Sequence, residues 1–309
     1  MFRQTLTCVL AAALTLLAIP SAQATAVAKA PTTHTFATVG DRALKLKLWQ
    51  PATAKPAPLV IYVHGGAWAI GSYQGYPLPM PWGTVDSVAG ELTAKGYAVA
   101  SLDYRLSGEA QWPAQIFDVK SGVRYLRANA ATLNIDPDRF AAWGDSAGGH
   151  LAAMLGTTAD RPELEGDVGV TGVSSAVQAV ADWFGPTDIA AMADNGGVWE
   201  GLMHGTAISP ETKLLGCVPQ KCRDKADQAS PISYVTAKSA PFLIQHGRFD
   251  HLVPFNQAEL LDAKLRAAGV PVEFRGLLTD HEFVGLANPR TDILNPFYMF
   301  LEHQLHPAT

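Results

Sequence analysis

The stretch from Arg139 to Leu155 constrains the fold of this chain more than any other part of it. It reads as a short apolar strand, a glycine-rich turn and a helix of Ala and Leu. The turn, Gly144-Asp-Ser-Ala-Gly148, fits the pattern G-x-S-x-G, in which a serine occupies a strained corner between a strand and a helix. The pattern alone also fits an ordinary turn of small residues. In this setting it marks Ser146 as a candidate nucleophile at a helix N-terminus.

The N-terminal residues have the form of a secretory signal. Arg3 precedes an apolar run from Leu6 to Ile19, which is followed by Pro20-Ser-Ala-Gln-Ala24, a small-x-small cleavage pattern. We expect cleavage near Ala24, so that residues 1–24 are removed and the product is secreted or periplasmic. We expect no membrane anchor, because the run is shorter than the roughly 20 residues that span a bilayer.

Composition and charge narrow the class of protein. The 309 residues are 48% hydrophobic and 17% charged, which favours a large buried core over a disordered chain. The net charge of −5 and the lack of a basic cluster disfavour nucleic acid as a partner. We expect residues 25–33 to be a flexible lead-in. Residues 34–309 should form a single domain, because no Pro/Ser/Gly-rich linker divides them.

Strand and helix patterns alternate along this domain. Apolar and polar residues alternate over residues 34–49 around Gly40-Asp41, which predicts an antiparallel hairpin. Residues 190–230 show little periodicity, and we interpret them as a cap inserted over the site. A continuous apolar run predicts a buried strand at 59–63, and a second buried strand is expected at 97–102. Further strands are expected at 177–184, 241–246 and 272–277, with helices at 85–95, 114–129 and 256–268. This order predicts an α/β fold with a mostly parallel sheet and helices on both faces.

The segment His64-Gly-Gly-Ala-Trp68 directly follows the first buried strand. Two glycines leave backbone N–H groups open to a ligand, although a plain glycine turn has the same composition. Gly66 and Ala67 are therefore candidate donors to an oxyanion, with Ala147 as a third donor beside the nucleophile. We expect His64 itself to be structural. The residues expected to contact substrate beside these donors are Gly65, Trp68 and Asp145.

Two further residues complete a possible catalytic set. A serine hydroxyl needs a neutral imidazole to take its proton and a carboxylate to orient that imidazole. Asp250 and His281 each follow a predicted strand, so both should lie at the same edge of a parallel sheet as Ser146. Taken separately, Asp250 could form a turn and His281 could be a surface histidine. Their joint arrangement favours the catalytic interpretation.

These motifs resemble the α/β-hydrolase family, and within it the hormone-sensitive-lipase-like and feruloyl/acetyl-xylan-esterase-like branch. The resemblance implies a triad of Ser146, Asp250 and His281, in the chain order of that fold, and an oxyanion hole. One departure is Ala67, which stands where many lipase-like members carry a third glycine. The motifs are His64-Gly-Gly-Ala-Trp68, Asp103-Tyr-Arg-Leu106 with Trp112-Pro113, Gly144-Asp-Ser-Ala-Gly-Gly149, Phe184-Gly-Pro-Thr-Asp188, His246-Gly247 with Asp250 and Val253-Pro254, and Asp280-His281.

The resemblance implies a serine carboxylic-ester hydrolase that forms an acyl-enzyme. We expect a short acyl (acetyl) or feruloyl ester of a polysaccharide as substrate, with short chains preferred because bulky aromatic residues surround the expected site. An amidase or peptidase on the same fold, or a non-catalytic binding protein on a hydrolase scaffold, are the alternatives. No cofactor or metal is expected, since two cysteines fall short of a four-ligand zinc site. The aromatic residues are Trp68, Tyr73, Tyr76 and Trp82.

The two cysteines of the expected mature chain are predicted to form a disulfide. Cys217 and Cys222 are five positions apart, and Pro219 between them favours a turn. An exported protein with an even number of cysteines favours pairing, with two free thiols as the alternative.

Overall fold

A computed structural model describes residues 29–75, 79–193 and 203–305 of the chain. The predicted signal peptide, Tyr76 and part of the predicted cap lie outside these residues. Within them, one sheet of eight strands runs in the order β1-β2-β4-β3-β5-β6-β7-β8. The strands are β1 (Thr32–Val39), β2 (Arg42–Trp49), β3 (Ala57–Val63), β4 (Ala98–Leu102), β5 (Ile135–Asp145), β6 (Ala179–Trp183), β7 (Phe242–Gly247) and β8 (Val272–Leu277).

The sheet is antiparallel at one edge and parallel elsewhere. β1 and β2 form the predicted hairpin, and β2 pairs antiparallel with β4. From β4 onward every neighbouring pair is parallel. All residues of β3, β4, β6 and β7 are buried, as expected for strands that are covered on both faces. The α/β fold predicted from the sequence is therefore confirmed.

Helices cover both faces of the sheet. Alternate residues of β3 divide between two cores: Leu59 and Ile61 face one, and Val60 and Tyr62 face the other. The first core contains α2 (Ala114–Ala128), α3 (Ala147–Thr157) and α6 (Asn256–Ala267), and the second contains α1 (Val85–Ala94) and α7 (Asn295–Leu305).

The segment between β6 and β7, which we call the insert, includes the whole predicted cap of residues 190–230. Its described part contains α4 (Pro210–Leu215) and α5 (Arg223–Gln228), each six residues long. The predicted disulfide is present, since Cys217 and Cys222 are bonded between these helices. The insert packs onto the first core through Leu214, Leu215 and Ala226.

Candidate active site

Ser146 lies at the tight corner between β5 and α3. Its φ of 54° and ψ of −120° are a strained backbone conformation for a residue with a side chain, and its N–H donates to the Trp183 carbonyl at 2.8 Å. The flanking glycines make room for this corner. A Cβ on Gly144 would lie 2.3 Å from the Gly148 backbone, and a Cβ on Gly148 would lie 1.9 Å from the Val63 carbonyl oxygen. Both positions therefore require glycine.

Loops after three parallel strands bring the predicted nucleophile, base and acid together. His281 Nε2 lies 3.2 Å from Ser146 Oγ, and His281 Nδ1 lies 2.8 Å from Asp250 Oδ2. The three residues follow β8, β5 and β7, whose carboxyl ends share one edge of the sheet. The distances suit a proton relay from the hydroxyl to the imidazole.

Asp250 is held as an anion in a buried position. Its Oδ1 accepts the N–H groups of Leu252 and Val253 at 2.9 and 2.8 Å, and its Oδ2 lies 3.2 Å from His246 Nε2. Burial acts to raise the pKa of Asp250, but hydrogen bonds from His246 and His281 outweigh it and hold that pKa well below its usual range. The carboxylate can therefore fix the orientation of the His281 ring.

Other groups fix the imidazole from outside the relay. Phe184 packs edge-on against the His281 ring, with centroids 4.7 Å apart. Asp280 Oδ1 accepts the His281 N–H at 2.7 Å, and its other oxygen lies 2.9 Å from His251 Nδ1. The motif that contains Phe184 is evident from the sequence, but the packing of Phe184 against the His281 ring is not.

Two carboxyl groups lie one residue before the serine and one residue after the imidazole. Asp145 Oδ1 accepts the Tyr62 hydroxyl at 2.6 Å, and Glu282 Oε2 accepts the Trp82 indole N–H at 3.1 Å. Burial, followed by the negative charge of Asp145, raises the pKa of Glu282 to about 9. Glu282 is thus an uncharged acid near pH 7. No sequence pattern pointed to it.

The loop after β3 carries the predicted oxyanion donors. Gly66, Ala67 and Trp68 all have positive φ, of 101°, 54° and 55°, and the Gly66 carbonyl accepts the N–H groups of Ala69 and Ile70. Within residues 29–75, 79–193 and 203–305, no acceptor pairs with the N–H of Gly66 or Ala67. These N–H groups are therefore available to a ligand.

His64 supports the start of this loop, as expected of a structural residue. Its ring stacks on Tyr104 with centroids 4.3 Å apart, and its Nδ1 lies 2.8 Å from the Gly65 carbonyl oxygen. The Tyr104 hydroxyl donates to the His64 carbonyl at 3.0 Å. Burial lowers the pKa of His64 to about 4, so the ring is neutral at physiological pH.

A cavity of about 240 Å³ opens beside the serine. Ser146, His281, Ala67 and Ala147 line it, and the insert contributes Met192, Met203 and Glu211. Trp68, which was predicted to contact substrate, also lines the cavity. Asp145 and Gly65, which were predicted to contact substrate, are buried and are not among the described residues that line this cavity.

Two further properties concern the described part of the chain. None of its helices combines the length and the apolar character needed to cross a membrane. Among the same residues, no group of three or more His, Cys, Asp or Glu side chains is placed to hold a metal ion.

The sheet, the corner serine and its partners define an α/β-hydrolase fold. The model of the BD-FAE family matches residues 46–265, and the chain belongs to that family. Two esterases of Mycobacterium tuberculosis are similar: LipC is 34% identical over 74% of this chain and 53% of its own length, and LipQ is 34% identical over 80% and 56%. The chain thus spans about half the length of these curated relatives.

Solved structures show the same fold. A truncated carbohydrate esterase from gut microbiota superposes with a TM-score of 0.75 and 31% identity, covering 89% of this chain and 96% of that one. The bifunctional GH43-CE protein of Bacteroides eggerthii gives a TM-score of 0.73 and 33% identity, covering 84% of this chain and 36% of that one.

Proposed function

We propose that this protein is a serine carboxylic-ester hydrolase with Ser146, His281 and Asp250 as its catalytic triad. The observation that carries the proposal is the hydrogen-bonded chain from Ser146 through His281 to a buried Asp250 carboxylate, which opens onto a cavity. The similarity to proteins named as esterases supports the same chemistry.

The proposed reaction has two halves. Ser146 Oγ attacks the ester carbonyl carbon while His281 Nε2 takes the hydroxyl proton, and Asp250 holds the Nδ1–H of the resulting imidazolium. His281 then gives the proton to the departing alkoxide, which leaves as the alcohol. A water molecule, deprotonated by the same nitrogen, releases the acid from the acyl-enzyme.

The proposed oxyanion hole comprises the N–H groups of Gly66, Ala67 and Ala147. Ala67 and Ala147 lie on opposite segments that both line the cavity beside Ser146. Ala147 is the first residue of α3, where backbone N–H groups have no partner within the helix. Donors fixed in advance stabilise the negative charge that develops on the carbonyl oxygen.

We propose a short acyl ester of a polysaccharide, such as an acetyl ester, as the substrate. The cavity of about 240 Å³ is smaller than the roughly 300–1,000 Å³ of sites that hold drug-sized ligands, which favours a small acyl group. The similarity to carbohydrate esterases favours a sugar as the alcohol. The signal-like N-terminus supports export toward a polymer outside the cell.

The nucleophile is tested with Ser146→Ala, using Ser174→Ala in the exposed loop after α3 as a matched control. We expect Ser146→Ala to lose turnover of p-nitrophenyl acetate by about ten-thousand-fold or more, with the fold intact by circular dichroism. A fluorophosphonate probe should label the wild-type and control proteins only. Turnover or labelling of Ser146→Ala at the wild-type level would contradict the proposal.

The substrate is tested by a panel of acetyl, butanoyl and octanoyl nitrophenyl esters, acetylated xylan, methyl ferulate and acetyl anilides. We expect the acetyl ester to have the highest kcat/KM, acetate release from xylan, and little anilide cleavage. Faster octanoyl turnover would overturn the size argument, and anilide hydrolysis that exceeds ester hydrolysis would favour an amidase.

A further inference from the structure

His150 is a buried histidine that the proposed reaction does not use. It lies in the first turn of α3, is fully excluded from solvent, and has both ring nitrogens in hydrogen bonds. Nδ1 lies 3.1 Å from the Trp68 indole nitrogen, and Nε2 lies 2.6 Å from the Ala229 carbonyl oxygen. The Trp68 and His150 rings meet edge to face, with centroids 5.2 Å apart.

The chemistry of the two partners fixes the tautomer of His150. An indole nitrogen can only donate, so Nδ1 must present a lone pair to Trp68. A carbonyl oxygen can only accept, so Nε2 must carry the hydrogen that Ala229 receives. The ring is therefore neutral, in agreement with burial, which lowers the pKa of His150 to about 4.

Trp68 anchors the loop after β3 through both its backbone and its side chain. Its carbonyl accepts the Ser107 N–H at 2.7 Å, and its side chain, 2% exposed, ends at His150. Trp68 and the preceding Ala67 both have left-handed backbone conformations, which residues with side chains adopt only when their surroundings enforce them. The contact with His150 is one such constraint.

His150 also belongs to the same helical turn as the serine. Its N–H donates to the Ser146 carbonyl at 3.0 Å, so its position relative to Ser146 is set by the helix. Ala67 lies on the loop and Ala147 on the helix, and the two must hold one oxyanion between them. Their separation therefore depends on a contact that joins loop to helix, and the bond between Trp68 and His150 is such a contact.

We propose that His150 is a positioning residue of the oxyanion hole, whose Nδ1 holds the Trp68 side chain and thereby places the Ala67 N–H beside Ser146. This inference rests on the proposed function. The role is indirect, since His150 itself lines no part of the described cavity.

Two substitutions separate the hydrogen bonds of His150. In His150→Asn the side-chain oxygen replaces Nδ1 and can still accept from Trp68, whereas in His150→Gln the amide nitrogen replaces Nε2 and can still donate to Ala229. We expect His150→Gln to lower kcat by about ten- to a hundred-fold with little change in KM, below the loss for a deleted oxyanion donor. His150→Asn should keep most of the wild-type kcat. Equal kcat losses in both variants would overturn the proposal.

A double-mutant cycle with Trp68→Phe tests whether His150 acts through Trp68. Phenylalanine keeps an aromatic ring but has no N–H, so Trp68→Phe alone should lower kcat about as much as His150→Gln. In that background His150→Gln should cost little more, since residues that act as a unit are not additive. Additive losses would contradict the proposal. If His150→Gln does not fold, the Trp68→Phe variant tests the proposal by itself. An unchanged kcat in Trp68→Phe would then overturn the proposal.

A trifluoromethyl ketone, which adds to the serine to form an oxyanion, provides a readout that a purely structural role would not move. Its Ki should rise in His150→Gln by the factor by which kcat falls. An unchanged Ki would sink the proposal. These measurements are made after the wild-type enzyme has been shown to be active and the Ser146→Ala variant inactive. A result that contradicts the role of His150 therefore leaves the triad assignment unaffected.

Discussion

The two halves of the site are fixed by different chemistry. On the side of the proposed base, carboxyl groups make the contacts: Asp250 lies against the His281 ring, and Asp280 accepts its backbone N–H. On the side of the proposed oxyanion loop, neutral imidazoles make contacts, since His64 supports the start of the loop and His150 accepts from Trp68. The contacts named for the first half involve carboxyl groups, and those of His64 and His150 in the second involve uncharged rings.

The difference gives the halves opposite weaknesses toward pH. The pKa values of His64 and His150 are lowered to about 4, so strong acid would charge these rings and disrupt the oxyanion half. The pKa of Glu282 is raised to about 9, so alkali would place a new negative charge in the base half, near Asp145 and Asp250.

Removing the charge of Asp250 should have the largest effect. We expect Asp250→Asn to lower kcat by about ten-thousand-fold, because an amide no longer favours the required tautomer of His281. Asp280→Asn is the matched control, since the Asp280 carboxylate accepts the backbone N–H groups of His281 and His251 and contacts the exposed His251 ring. Steady-state kinetics on p-nitrophenyl acetate measures both. A larger loss in Asp280→Asn than in Asp250→Asn would reverse the assignment of the acid.

Glu282 should set an alkaline limit on activity, a smaller effect that appears only above neutral pH. Its pKa is raised to about 9, so the carboxyl is neutral below that pH and ionised above it, and kcat should fall as the pH rises past that value. Glu282→Gln keeps an acceptor for Trp82 but cannot ionise, so its profile should stay flat there.

The control for Glu282→Gln is Glu259→Gln on the exposed face of α6. It should retain the alkaline fall of the wild type. If kcat of Glu282→Gln falls in alkali as it does in the wild type, another group titrates. Ionisation of Glu282 would then not limit activity at alkaline pH.

The buried histidines should cause the smallest effect, on stability in mild acid. Below its ordinary pKa of 6.5 and above its folded value of about 4, each ring binds a proton only when the chain unfolds. Each histidine therefore makes the free energy of unfolding rise with pH in that window, by up to about 1.4 kcal/mol per pH unit. Asp182, whose pKa burial raises to about 6, acts in the opposite direction.

A comparison of the wild type with His150→Asn isolates the contribution of His150 to the pH dependence of the unfolding free energy. Urea unfolding at pH 5 and pH 7 should show a smaller pH dependence for His150→Asn than for the wild type, because one of the two rings is gone. Equal pH dependence in the two proteins would show that His150 does not titrate on unfolding in this range.

The fold was predictable because its signals are local. The pattern at 272–277 matches β8, and the helix expected at 114–129 matches α2 within one residue. The sequence could place Ser146, Asp250 and His281 at one edge of the sheet because each follows a strand, and parallel topology brings such positions together. The geometry of this set depends on elements that the sequence marks clearly.

The contacts that hold the site were not predictable, because they depend on side-chain directions between distant segments. Trp68 and His150 are 82 positions apart, and Trp82 and Glu282 are 200 apart. Asp145 was expected to contact substrate, but it lies two residues after Trp143 on β5 and so shares its face of the sheet. That face packs against Tyr62 and Trp82, away from the helix that follows Ser146.

We expect the disulfide between Cys217 and Cys222 to make substrate choice and folding respond separately to redox conditions. Its short loop is already shaped by backbone bonds from Lys221 to Val218 and from Cys222 to Pro219, and the bridge adds about 2 kcal/mol. The bridge lies in the insert, directly after the helix that carries Glu211 of the cavity wall. Expression in a reducing host would therefore yield folded protein with an altered cavity wall. Preparations from reducing and oxidising hosts would be equally soluble but would differ in substrate selectivity.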